Sequence, residues 1–528
     1  MTVPDYRLIN MANSNSDMIS LRAPLARAAT ILDRSLFSKK LELAAATVKD
    51  PRNISKYRKQ LEKGNELLRL DRLDSCRTDP KSSNLKCLLL RPGVKADTPT
   101  TWGPVFQEGI KTGELDVVPY ELQLDYDYWS YLDVMTSILP EELHVEIPVG
   151  FNTAGHVAHL NLKEQYLPYK KIIAEVILDK NPKITTVINK VDDVGGNSVF
   201  RTFAYEVLCG PEDMNVEVKE NDCVFQFDYS KVYWNSKLEP EHTRLIGMFK
   251  PGEVVADVMA GIGPFAVPAG RKGVFVFAND MNPESYKYLN AAVQKNKVQQ
   301  YVRPYNMDGR KFIQEAVHQV YDASKKGEGA VIKPKQSRSK PQNPPPQPKH
   351  IPIPPTISHF VMNLPASAYT FVNHYKGIYS GHEELFEPHT SAKLPMVHVH
   401  CFALKSDDEV PLNDILERIY AEIGVRFKLG DADKQGEMTI YNVRDVAPKK
   451  RMFCASFRIP PEFDVTVTEM DMSMPACLTI LHDRDRYPIH AVQAFTNPAS
   501  LRPTCSRCKA DKALSKELPR RLSYIWCT

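Results

Sequence analysis

The chain reads as an α/β protein built on a doubly wound parallel sheet, with an α+β unit and a small accessory domain ahead of it. Three observations carry that expectation. Apolar runs of strand length alternate with amphipathic segments of helix length from about residue 254 onward. The first of these runs, Val254-Val255-Ala256-Asp257-Val258, leads directly into the glycine-bearing turn Gly261-Ile262-Gly263-Pro264. Polar residues then stand at the ends of successive strands, which is the side on which open α/β sheets bind ligands.

A length of 528 residues predicts two or three domains rather than one core. With 43% hydrophobic and 25% charged residues, most of the chain is expected to fold, and no apolar run reaches the length of about 18 needed to span a membrane. Ten cysteines lie scattered without a framework of spacings, which suits plain thiols in a reducing compartment. The formal net charge of +4 is unevenly spread: residues 1–80 carry 15 basic against 10 acidic side chains, and residues 321–350 and 501–528 each carry 7 against 2. Basic appendages on a more acidic body suit a polyanionic partner, and equally suit solvated tails and loops.

Taken in order, residues 1–20 look irregular. The stretch 19–37, with Arg22, Arg27 and Arg34 among Leu21, Leu25, Ile31 and Leu36, has the composition of a mitochondrial presequence; Met11 and Met18 offer alternative starts that would leave a shorter product outside the organelle. Residues 38–130 form the accessory domain, expected to begin helical, to contain a strand at 87–90, and to pack the aromatic stretch 125–132 as a helix. In the α+β middle domain, 131–228, strands are expected at 144–149, 155–160, 184–188 and 200–203, with a helix at 168–178. His156 and His159 would face opposite sides of a strand, which argues against a shared metal.

The α/β domain, 229–465, has strands at 254–258, 274–278, 302–306, 358–362 and 396–404, helices between them, and a closing pair of strands at 440–446 and 452–457. Lys325 to Thr356 is a Pro- and Lys-rich insertion that cannot bury a core. From 466 to 528 the pattern fades into a divergent tail, where Cys505 and Cys508 make half of a zinc knuckle with no second pair at suitable spacing, so no metal is expected.

The turn at 261–263 alone fits either a dinucleotide or another adenosine-bearing cofactor, and a bare glycine-rich turn without ligand is the bland alternative. Gly261 and Gly263 let a ligand approach the backbone, and the amides behind them favour an anionic group. Asp257 ends the first strand, Asp280 the second, Asp308 with Gly309 the third, and Asn363-Leu364-Pro365 the fourth. A carboxylate at Asp280 can take ribose hydroxyls, Met281 can cover an adenine face, and Asp308 can accept its amino group. Asn363, with Pro365 stiffening the backbone, suits the edge of a nucleobase. A nicotinamide enzyme has no need for that last element and would want a proton relay for which no convincing candidate is seen, so the reading as a class I (Rossmann-like) methyltransferase domain gains.

Six segments carry a resemblance to the tRNA (guanine-37-N1)-methyltransferases of eukaryotes and archaea: RTFAYEVLCG at 201–210, VYWNSKLEPEHTRL at 232–245, DVMAGIGPF at 257–265, NDMNP at 279–283, MDGRKF at 307–312 and MNLPASAYTF at 362–371. The resemblance spans roughly residues 20–465 and implies a small N-terminal tRNA-recognition domain that reads the elbow, an α+β middle domain and a class I methyltransferase domain. It implies S-adenosyl-L-methionine as cofactor, tRNA as partner through its elbow and guanosine 37, a monomer, no membrane, and in fungi a distribution over mitochondrial matrix, nucleus and cytoplasm. Glu241 then matches the general base, Arg201 the cation that stabilises charge on guanine O6, and Asn363 the group that orients the base; His242 joins Asp280, Met281, Asp308, Gly309 and Asn363 as a cofactor contact. Two other functions compete: a wybutosine-pathway aminocarboxypropyltransferase, which shares fold and cofactor, and a tRNA-binding scaffold with a dead site.

Overall fold

A computed structural model describes residues 21–27, 29–191, 200, 202–332 and 347–461. Arg201, the middle of the 325–356 insertion, the first 20 residues, and the tail with Cys505, Cys508 and Cys527 lie outside the described residues. The six described cysteines are free thiols.

The N-terminal sheet has the order Cys76–Thr78, Lys86–Leu89, Lys39–Val48, Leu115–Leu124, all neighbours antiparallel. Here the expected helical start is corrected. Lys39–Val48 is a strand buried on both faces from Leu43 onward, where alternate residues serve two cores. Ala44, Ala46 and Val48 meet Tyr57, Leu61 and Phe106 on one side. Leu43 and Ala45 face the other, with Trp129 of the same domain and Met135, Ile138 and Ile173 from the middle domain. The alanine-rich run reads as helix by propensity, and this two-sided burial overrides it. Helix appears later, at Ile54–Lys63, and Leu67 pairs with Leu90 as an isolated bridge. The aromatic stretch becomes a short turn, Tyr126–Tyr128, and then helix Tyr131–Ile138, started by a capping box of Ser130 and Asp133. Ala23, Ala26, Leu32 and Phe37 are buried in the same core, so the described residues of 21–37 pack as part of this unit.

In the middle domain the strands Asn152–Ala154, Val157–Leu160, Thr186–Lys190 and Tyr205–Cys209 form one sheet against helix Lys170–Lys180. Two expected strands are absent there. Residues 141–146 form a 3-10 turn: Val145 is 74% exposed, and the Tyr166 hydroxyl donates to the Leu143 and Glu146 carbonyls in place of a ladder. At 200–203 the chain is irregular where described; pairing fades beyond the Val191 amide, which donates to the Ala204 carbonyl, and the strand starts at Tyr205. His159 is buried under Phe203 with Nδ1 3.0 Å from the Tyr229 hydroxyl, whereas His156 lies against Asp213, so the two histidines serve different surroundings.

The large sheet consists of β1 (Val254–Asp257), β2 (Phe275–Asn279), β3 (Val302–Tyr305), β4 (His359–Met362), β5 (Met396–Leu404), β6 (Lys428–Leu429), β7 (Glu437–Ala447) and β8 (Lys450–Arg458), in the order β3-β2-β1-β4-β5-β8-β7-β6. The first five run parallel, and β8 returns antiparallel along β5. Helices α1 (Glu239–Met248), α2 (Ala266–Lys272), α3 (Pro283–Lys295), α4 (Gly309–Lys325) and α5 (Val410–Ile423) accompany it. Val254, Ala256, Phe277 and Phe360 point into a core with Phe312 and Ile313 of α4 and Ile415 of α5. Val255, Val276, Ala278 and Val361 point the other way, to Val267 of α2, Leu289 of α3, and Phe225 and Phe227 of the hairpin 215–228. Burial on both faces is why these strands read as continuous apolar runs. The flanks of the insertion, Gly329–Ile332 and Lys349–Pro352, pair with each other in a separate two-stranded ladder. Between β1 and β4 the order reverses, and the crevice opens there.

Candidate active site

A cavity of about 390 Å³ lies at the C-terminal ends of β1, β2 and β4, within the size range of small-molecule sites. His242, Gly261, Asp280, Met281, Asp308, Gly309 and Asn363 all line it, so the topology gathers seven of the expected positions into one wall. Gly261 adopts φ +57°, and its amide donates to Asp280 Oδ2 at 2.8 Å. The second oxygen of Asp280 accepts from the Asn282 amide at 2.9 Å, and burial raises the carboxyl's pKa. Asp308 caps α4, taking the Arg310 amide at 2.8 Å.

Two expected contacts sit behind the wall. Gly263 does not line the cavity: at φ +94° it packs on α3, where a Cβ would come within 2.6 Å of Leu289 and 2.9 Å of Val267. Asp257 is 0% exposed, and neither carboxylate oxygen has a hydrogen-bond partner. Burial, with Asp280 adding repulsion, pushes it up to about 8, so it is largely neutral near pH 7. The turn passes over both residues, and spacing alone does not reveal that.

Asn279 stands in the segment 279–283, but the sequence assigns it no role. Its amide nitrogen donates to the Val258 and Met307 carbonyls at 3.1 and 3.0 Å, and its oxygen accepts from the Met307 amide at 2.9 Å. One buried side chain thus ties the ends of β1, β2 and β3. The available signal was a polar residue closing an apolar run.

The cavity fits an adenosine-bearing cofactor with an amino-acid end. Gly309 leaves room that a Cβ would take, 3.0 Å from Val258 and 3.3 Å from Phe371. Trp234, also on the wall, has its indole N–H buried without an acceptor, a donor suited to a bound anionic group. Asp280 and Asp308 supply acceptors at two points of the rim, and Met281, 42% exposed, supplies apolar cover.

Glu241 stands apart from this wall, 3% exposed on α1. Arg244 donates to both its oxygens at 2.7 and 2.8 Å, and His400 Nε2 lies 2.8 Å from Oε1. Burial opposes the charge, but the hydrogen bonds from Arg244 and His400 outweigh it and hold the carboxyl at about 2. Burial likewise opposes the charge on His400, yet the Cys454 sulfur and Glu241 push the imidazole up to about 10. Its Nδ1 lies 3.3 Å from the Met362 carbonyl, so both ring nitrogens face acceptors, as an imidazolium requires. Ligand-type atoms of Glu241, His400 and Cys454 lie within 4.8 Å of one another. Both oxygens of the Glu241 carboxylate already accept from the Arg244 guanidinium.

A second cavity, of about 220 Å³, shares Tyr233, Asn235, Leu238 and Asn363 with the first, and adds Asn152, Lys237, Pro365, Phe402 and Arg444. The Asn363 side chain makes no hydrogen bond to the described residues, while the Pro365 carbonyl is fixed by the Phe402 amide at 2.9 Å.

Comparison with known proteins gives the same answer at several levels. Residues 216–323 match the model of the TRM5/TYW2 methyltransferase domain, and 131–213 that of the TYW2 N-terminal domain. The chain is similar to the tRNA (guanine(37)-N(1))-methyltransferase of Fusarium vanettenii, 63% identical over 84% of this chain and 97% of that protein. It is 62% identical to that of Neurospora crassa over 84% and 95%, and 44% identical to that of Schizosaccharomyces pombe over 81% and 93%. Among solved structures it shares the fold of Trm5b from Pyrococcus abyssi (TM-score 0.50, 22% identity, 79% of this chain and 99% of that one). It also shares that of aTrm5 in complex with tRNALeu (TM-score 0.51, 18% identity, 79% and 99%).

The neutral state of Asp257 makes a pH prediction. An acid whose folded pKa is raised from 3.8 to about 8 takes up a proton on folding, so its contribution to stability falls as pH rises across that window. Asp257→Asn removes this dependence. The stability of the variant relative to the parent, from urea midpoints, should therefore rise from pH 5 to pH 8 by about 1 kcal/mol or more; a difference constant with pH would contradict the assignment.

Proposed function

The chain belongs to the tRNA (guanine(37)-N(1))-methyltransferase family, and from that membership we propose how its two cavities divide the reaction and where in the cell it works. The enzyme is an S-adenosylmethionine-dependent methyltransferase acting on tRNA. The larger cavity takes the cofactor and the second takes the extruded guanosine 37. The observation that carries this division is that Asn363, a side chain with free donors and an acceptor, lines both.

In this reading Asp280 holds the ribose, Met281 and Asp308 the adenine, and Gly261, Gly309, His242 and Trp234 complete the wall. Asp257 and Gly263 support the turn from behind. The bound cofactor supplies an electrophilic methyl group. Asn363 turns the Watson-Crick edge of the guanine toward it, and Pro365 keeps that loop stiff. Glu241 receives the N1 proton, for which it exchanges Arg244 for the substrate. Its low basicity is compatible with that task because the proton becomes strongly acidic once N1 begins to bond carbon. Arg201 stands as the cation for O6 on the strength of the motif alone, since it lies outside the described residues.

Substrates in the proposal are cytoplasmic and mitochondrial tRNAs, including phenylalanine tRNA, where the product is the first step toward wybutosine. The protein acts as a monomer and meets the tRNA elbow with residues 38–130. For location we read mitochondrial matrix, nucleus and cytoplasm; the arginine-bearing composition of segment 19–37 supports the matrix, whereas starts at Met11 or Met18 keep that segment and do not separate the compartments. A start at Met18 still retains the core residues Ala23, Ala26, Leu32 and Phe37.

Mass mapping of unmodified phenylalanine tRNA after incubation with S-adenosylmethionine should show one methyl on N1 of guanosine 37 and none on a transcript carrying adenosine there. An aminocarboxypropyl adduct would assign the sister activity, and tight tRNA binding without product the scaffold. Glu241→Gln should lower the single-turnover rate by about 10²–10⁴-fold with tRNA affinity retained; an unchanged rate would leave Glu241 as an ion-pair partner only. Fusion of the N-terminal segment to a fluorescent protein should send a share of it to mitochondria, and a wholly cytosolic signal would remove the matrix from the account.

A further inference from the structure

The second cavity holds positive charge that nothing in its wall balances. Lys237, from the turn before α1, and Arg444, from β7, both line it, and no acidic residue does. Arg444 uses one donor locally, Nε giving to the Asp445 carbonyl at 3.1 Å, while its Nη1 is buried without a hydrogen-bond partner. The neighbouring carboxylate is engaged elsewhere: Asp445 pairs with Lys405 at 2.6 Å and Arg451 at 2.7 Å. On the same wall the Asn152 side-chain oxygen is also buried and unpartnered. Burial, and then the Arg444 charge, push the Lys237 ammonium down. Two like charges drawn together with a buried donor left unpaired cost free energy that an anionic ligand would offset.

We propose that Arg444 and Lys237 form a seat for a phosphodiester flanking the extruded nucleotide, so that the β7–β8 hairpin grips the target's backbone while Asn363 meets its base. This rests on the assignment of the second cavity to guanosine 37. A phosphate suits the pair better than the base does. Lys237 is exposed at the mouth of the cavity, where a backbone group remains while the base passes inward to Asn363. A phosphodiester keeps its charge throughout the working pH range, and a guanidinium with a spare Nη1 matches its oxygens in a directed way that a lysine supplements as a point charge. Arg444 and Lys237 are thereby positioning residues: they place the nucleotide and leave the chemistry to other groups.

The test is a double-mutant cycle on the full-length protein with tRNAs that carry a methylphosphonate, and so lack one charge, on the 5′ or the 3′ side of guanosine 37. Arg444→Ala should raise the KM for tRNA about ten-fold, with the saturated rate within about three-fold of the parent and S-adenosylhomocysteine affinity unchanged. One of the two methylphosphonates should penalise the parent enzyme by a similar factor and Arg444→Ala hardly at all. Arg444→Lys should recover part of the loss. Equal methylphosphonate penalties in parent and variant would overturn the proposal, as would a loss confined to kcat, which would move Arg444 to the base. If Arg444→Ala loses S-adenosylhomocysteine affinity, the same cycle is run on Lys237→Ala with the same criteria. Parent turnover is read in the same experiment. No methyl at N1 of guanosine 37 would fail the assignment of the site, whereas a normal parent product with a neutral Arg444→Ala fails this proposal alone.

Discussion

Two carboxyl groups closed in at the ends of adjacent strands set the conditions for the rest of the site. Asp257 ends β1 and Asp280 follows β2, and burial raises the pKa of both. They are treated differently. Asp280 receives the Gly261 and Asn282 amides, which favour its charge, while Asp257 receives no hydrogen bond and is left largely neutral. That inequality leaves Asp280 held by two amides at the cavity wall and Asp257 enclosed behind it. Asn279 holds the geometry by joining three strand ends, and the reversal of strand order between β1 and β4 provides the opening.

A second buried network lies behind the target side. His400 on β5 faces the carboxylate of Glu241 on α1 with one ring nitrogen and the carbonyl of Met362, at the end of β4, with the other. Met362 precedes Asn363. The imidazolium therefore links the proposed proton acceptor to the loop that meets the base, and Arg244 completes the charge balance. A network of this kind is satisfied only when every member is present, which favours one arrangement of α1, β4 and β5 over its alternatives.

Much of the parallel sheet was legible because its strands are covered on both faces. Val254-Val255-Ala256 and Phe275-Val276-Phe277 supply residues to opposite cores and so appear as unbroken apolar runs. The strand-end residues Asp280, Asp308 and Asn363 were legible for a related reason, since Asp280 and Asn363 stand within two residues of a strand's C-terminal end and Asp308 within three. Where local pattern and tertiary burial conflict, reading fails. Lys39–Val48 has helical composition and is a strand, and residues 144–149 alternate like a strand but expose Val145 and Val149. Gly263 and Asp257 have the expected spacing yet lie behind the cavity, since the path of the turn is not written in the spacing. His400 and Arg444 are far from the motifs in sequence, while Lys237 lies inside the segment 232–245 without a partner in it to mark a role. His400 comes beside Met362 through the pairing of β5 with β4, and Arg444 reaches the second cavity through the return of β8 along β5 and the β7–β8 hairpin, so no local pattern could single them out.

The proposed division of one crevice into a cofactor cavity and a nucleotide cavity turns on Asn363, which lines both. The most direct measurement is a crystal structure of the protein with S-adenosylhomocysteine and a tRNA bearing guanosine 37. The account predicts the adenosyl group among Asp280, Met281 and Asp308, and the guanine unstacked from the loop with its Watson-Crick edge at Asn363. A guanine that stays stacked in the anticodon loop, or one seated away from Asn363 while the cofactor is bound, would contradict it.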